Sequence, residues 1–101
     1  MASIVIRPDV FHELDEIEIW YEQQQAGLAN QFRDAFSKTL DRIQHQPNTF
    51  PITSPGIHRI EMKGFPYAVF YHPHDNEVVV LHVMHKRRNP QRWPIIKTSD
   101  T

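Results

Sequence analysis

The 101-residue chain contains no cysteine, so a disulfide framework, a thiolate metal site and a cysteine nucleophile are all excluded, which is compatible with a reducing compartment. Long apolar runs are missing as well. The longest aliphatic stretch, Val78 to Leu81, stops at His82, far short of the ~18 residues that a membrane span needs. At the N-terminus Ile4, Val5 and Ile6 run straight into Arg7 and Pro8, too soon for the apolar core of a secretory leader. A cytoplasmic protein without a membrane partner is expected. A formal net charge of −1 also excludes the whole-molecule field by which strongly basic proteins gather nucleic acid.

What is present describes one domain spanning residues 1–101, because domains run to about 100–200 residues and a hydrophobic content of 40% is that of a folding chain. The charge is polarised. Residues 1–56 hold four basic against eight acidic side chains, a balance of −4, whereas residues 57–101 hold seven against four, a balance of +3, and five of the seven histidines. An anion-binding surface must therefore be local and belong to the second half.

Ile4 to Ile6 is β-branched and ends at Pro8, which predicts a short first strand. Pro8 and Asp9 then suit the first turn of a helix. Val10, Leu14, Ile17 and Tyr21 follow at helical spacing, with Trp20 widening the stripe, while Glu13, Asp15, Glu16, Glu18 and Glu22 read as a solvated face. The polar stretch Gln23 to Gly27 closes that helix. Leu28, Phe32, Ala35, Phe36, Leu40 and Ile43 recur through a second amphipathic helix ending near Gln44, so the two form an antiparallel hairpin. Pro47, Pro51 and Pro55 make Gln46 to Gly56 a loop without regular structure.

Beyond Gly56 the period changes to alternation. Ile57 to Lys63 reads as a half-buried strand, Tyr67 to Tyr71 as an apolar and aromatic one, Pro73 to Asn76 as a turn, and Glu77 to His85 as a central strand covered on both faces. The expected fold class is α+β. Its order is β-α-α-β-β-β, with the helical hairpin on one face of a small, mostly antiparallel sheet.

Three segments together carry a recognisable pattern: the strand bearing Arg59, the run Phe65-Pro66-Tyr67-Ala68-Val69-Phe70-Tyr71, and the run Val83-Met84-His85-Lys86-Arg87-Arg88-Asn89-Pro90-Gln91-Arg92-Trp93. In this the chain resembles the RelE/ParE superfamily of toxins from type II toxin–antitoxin, or plasmid stabilisation, modules. The resemblance implies a bacterial growth inhibitor silenced by a cognate antitoxin. It leaves two branches open: ParE-like inhibition of DNA gyrase by binding, and RelE-like cleavage of messenger RNA on the ribosome. An inactive relative that keeps only antitoxin binding is a third possibility. RelE-like nucleases tend to be strongly basic and often carry a tyrosine near the C-terminus. Here the isoelectric point is near 6.6 and no tyrosine follows Tyr71, which favours the ParE-like branch.

Metal-free RNA cleavage needs proton transfer and fixed positive charge on the phosphate. His85 can supply the first, and Arg59 and Arg87 the second, so these three are the catalytic candidates of the nuclease branch. Lys86, Arg87, Arg88, Arg92 and Trp93 are the candidates for binding a target or antitoxin. A plainer reading makes His85 the point where a strand leaves the core and enters a solvated basic turn. No cofactor is implied. No metal site is expected either, because His82 and His85 lie three apart on a strand and face opposite ways, and His72 and His74 flank a turn without ligand-spaced carboxylates.

Overall fold

The structure, a computed structural model, describes residues 2–87. Arg88, Arg92 and Trp93 lie outside the described residues. Chain order is β1 (Ser3–Ile6), α1 (Pro8–Gln24), α2 (Leu28–His45), β2 (Ile52–Ser54), β3 (Ile57–Glu61), β4 (Tyr67–His74) and β5 (Glu77–His85). The strands form one five-stranded sheet in the order β1-β5-β4-β3-β2. β1 runs parallel to β5 and every other neighbouring pair is antiparallel. A parallel pair needs a long crossover, and the helical hairpin with the strands after it supplies one.

α1 begins on Pro8 with Asp9 in its first turn and buries Val10, Leu14 and Ile17. α2 buries Phe32, Phe36, Thr39 and Ile43. Both stripes pack on Ile60, Met62, Tyr67, Val69, Tyr71, Val78, Val80 and Val83, the residues that β3, β4 and β5 present to the helices. The opposite face of the sheet carries a smaller cluster of Ile57, Ala68, Phe70 and Leu81, with Val79 and Met84 against it. The sheet is thus apolar on both sides at its centre, as continuous hydrophobicity along β5 requires.

Several acids of α1 bind inside the fold instead of facing only solvent. The Glu22 carboxylate accepts from the backbone N–H groups of Gly27 and Ala29 at 3.1 and 3.2 Å, capping α2 where Gly27, at φ 94°, offers no side chain. Glu18 pairs with Arg33 at 2.7 Å. Glu13 accepts from Val83 N–H at 3.0 Å and meets His82 Nδ1 at 3.1 Å, satisfying β5 past Val80, where its pairing with β1 stops.

Three further expectations change. Trp20 is 52% exposed and does not widen the buried stripe. The proline-rich segment contains β2, an edge strand whose neighbour Pro51 accepts from Arg59 N–H at 2.8 Å through the carbonyl that proline retains. β4 continues through Pro73, because β3 pairs no further than Tyr71 and leaves that side of Pro73 without a ladder to break. The hairpin then turns at Asp75, held at φ 54°.

Candidate functional site: a charged sheet face and an aromatic pocket

Arg59 occupies the middle of β3, opposite Phe70 of β4. Its neighbours His58 and Ile60 are buried toward the helices, so alternation sends Arg59 to the other face, beside the Ile57–Phe70 cluster. Glu61, two residues on, shares that face and meets the Arg59 guanidinium at 3.1 Å. Lys86 follows the last residue of β5 and reaches the second oxygen of Glu61 at 3.2 Å. The ladder continues into this turn, since Lys86 N–H donates to the Pro66 carbonyl at 2.8 Å. Two cations therefore share one carboxylate. Lys86, and after it Arg59, hold the Glu61 carboxyl below its ordinary value against a smaller opposing effect of desolvation.

His85 goes the other way. It pairs with Tyr67, whose ring belongs to the helix-side core, and the two rings meet edge to face at 5.2 Å. Its Nδ1 accepts from Arg87 N–H at 3.1 Å. His85 thereby lines a pocket of about 410 Å³ with Trp20, Tyr21, Pro66, Tyr67 and Glu16 between α1 and the end of the sheet. Arg87 is exposed. The sheet itself separates His85 from Arg59, so the three catalytic candidates do not converge on one space. Lys86 and Arg59 do converge, through Glu61.

Among the described residues no group of three or more histidines, cysteines, aspartates or glutamates could hold a metal ion. The histidines have other work. His58 stacks on Tyr71 at 5.3 Å and contacts the Phe50 carbonyl through Nδ1 at 2.7 Å, and His72 Nδ1 lies 2.6 Å from the Gly56 carbonyl. Tyr71, fully buried, donates to the Pro47 carbonyl at 2.9 Å, and burial pushes its hydroxyl up to about 12. These contacts pin the proline-rich segment to the sheet.

Sequence reasoning missed Glu61. Its only signal was the i, i+2 spacing from Arg59, which on a strand places two side chains on one face. It also missed Trp20 as part of the His85 pocket, because the partners of that pocket come from β4 and β5, far along the chain.

A two-helix hairpin laid on a mixed sheet of this order, with a charged edge at the end of the last strand, defines the class of small α+β toxin folds. Residues 4–90 match the family model described as "ParE toxin of type II toxin-antitoxin system, parDE". The chain belongs to that family. A solved structure titled "Chromosomal ParDE TA system from P. aeruginosa" is similar to it, with a TM-score of 0.74 at 17% identity over 84% of this chain and 96% of that one, a likeness of fold. No curated protein sequence matches the chain. No described helix is long and apolar enough to cross a membrane.

Proposed function

We propose that this toxin stops growth by binding DNA gyrase, and that a cognate antitoxin protein silences it. The observation that carries the choice of binding over chemistry is the separation of His85 from Arg59 by the sheet. A ribonuclease needs a proton-transfer group and a phosphate clamp around one scissile bond, and here Arg59 is turned toward Glu61 on the face away from His85. Binding asks less. It needs an accessible charged surface continuous with a few anchors, and Lys86 and Arg87 lead from the sheet toward Arg88, Arg92 and Trp93, to which the reading assigns the remaining target or antitoxin contacts.

Induced expression in a bacterial host, with and without the antitoxin gene, tests the reading. Arrested growth with a DNA-damage response, relieved by the antitoxin, supports it. Rapid messenger cleavage assigns the protein to the nuclease branch instead, and unimpaired growth makes it an inactive relative. Replacing Arg87 and Arg88 by alanine is expected to abolish growth arrest while leaving the melting profile unchanged, whereas full toxicity in that double variant removes the cluster from the mechanism.

A further inference from the structure

Eight lysines and arginines fall among the described residues. Arg7 pairs with Asp9 and Arg33 with Glu18, and Arg59 and Lys86 share Glu61. Among the described residues Lys38, Arg42, Lys63 and Arg87 have no carboxylate partner. Three of these four, Lys38, Arg42 and Lys63, line a single groove of about 420 Å³ between α2 and the chain that follows β3. Cations left without counter-charges repel one another, so their collection in one groove is a cost to the fold that a bound anion would remove.

The groove is built, not merely charged. Ala35, Lys38 and Arg42 recur at i, i+3 and i+7 along one stripe of α2, beside the stripe that enters the core. The Arg42 guanidinium is fixed from two sides, donating to the Glu61 carbonyl at 3.4 Å and lying over the Phe50 ring at 5.3 Å from its centre. Its direction is therefore set before any ligand arrives, which lowers the entropy lost on binding. Ala35 and half-buried Phe65 give the groove an apolar floor, and Asp34 is the single acid of its lining.

We propose that this groove docks an acidic, amphipathic peptide segment of a protein partner, its carboxylates meeting Lys38, Arg42 and Lys63 and an apolar side chain resting on Phe65. The inference goes beyond the toxin reading and does not rest on it. The mixed lining distinguishes such a peptide from a nucleic acid. A phosphate backbone gains most from a long basic track, while the neighbouring helix α1 carries Asp15 and Glu16 exposed on the surface and the chain as a whole has a net charge of −1. A peptide brings only the local charge that three cations can match, together with the apolar group that the floor calls for.

The test titrates the full chain into three fluorescein-labelled probes: a short amphipathic peptide of leucine, alanine and glutamate, the same peptide with glutamine for every glutamate, and a short mixed-sequence single-stranded DNA. The glutamate peptide is expected to bind, the glutamine peptide to bind far more weakly, and the Lys38→Glu, Lys63→Glu double variant to lose about tenfold or more in affinity for the former. Both lysines make no hydrogen bond or ion pair in the structure, so an unchanged melting temperature shows that the loss is not unfolding. Arg42 is left in place because it ties α2 to β3. Failure of the glutamate peptide to bind, equal binding of the glutamine peptide, or unaltered affinity in the double variant overturns the proposal. Displacement of the glutamate peptide by the DNA also overturns it and makes the groove a nucleic-acid site.

Discussion

The two faces of the sheet have been put to different uses. The helix-facing side is a continuous aromatic and aliphatic core in which Tyr21, Phe32, Phe65 and Tyr67 meet with ring centres 5.0–6.3 Å apart. The other face has a short apolar centre, Ile57, Ala68, Phe70 and Leu81, and beside it the Arg59–Glu61–Lys86 network, in which Glu61 stays half exposed. Burial of apolar area stabilises in proportion to the area removed from water, whereas surface ion pairs contribute little. Stability therefore resides on the first face, and the second is free to carry charges that serve recognition.

Substitutions that treat the two faces alike should break this contrast. Phe32→Ala, which empties a fully buried position contacting three aromatic rings, is expected to cost about 3–5 kcal/mol in urea unfolding, a large part of a small domain's stability. Tyr71→Phe leaves the Pro47 carbonyl without its donor and is expected to cost about 1–3 kcal/mol. The same hydroxyl gives the native protein an alkaline limit. Its value is raised from 10.0 to about 12 by burial, so its contribution is complete below pH 10.0 and is lost as pH rises toward 12, because the unfolded chain releases that proton first. Thermal melts across that range should fall steeply in the native protein and less steeply in Tyr71→Phe.

Glu22→Ala removes the carboxylate that caps α2 and is expected to lower stability by about 1 kcal/mol. The smallest effect belongs to the open face. Arg59→Ala combined with Lys86→Ala should change unfolding free energy by less than about 1 kcal/mol, although the same pair should weaken growth arrest if that face recognises the target. A loss as large as that of Phe32→Ala would erase the division between the faces.

Periodicity alone made the hairpin and the last three strands readable. The spacings of Val10, Leu14 and Ile17 and of Phe32, Phe36 and Ile43 name the stripes that do enter the core, and the alternation after Gly56 names β3. β2 escaped because three residues between prolines carry no period, and their strand character comes from a neighbour, β3. Trp20 reads as core from its spacing, but the helix places it past the edge of the sheet. The acids of α1 show a polar face in sequence, yet nothing local tells that Glu13, Glu18 and Glu22 have partners up to 70 residues away. The same limit hid the groove: Lys38 and Arg42 are adjacent on α2, but Lys63 joins them only through the packing of β3. For the candidate site, Arg59, His85, Lys86 and Arg87 could be nominated from sequence. That Arg59 and His85 lie on opposite faces depends on strand register.

Supercoiling by purified DNA gyrase, measured with increasing amounts of the purified toxin, bears most directly on the central claim that it acts by binding. Dose-dependent loss of supercoiling, unchanged in His85→Ala and abolished in Arg87→Ala, Arg88→Ala, is the predicted result. Supercoiling that proceeds undisturbed at every dose, while the same preparation cleaves messenger RNA on ribosomes in a His85-dependent manner, would contradict it.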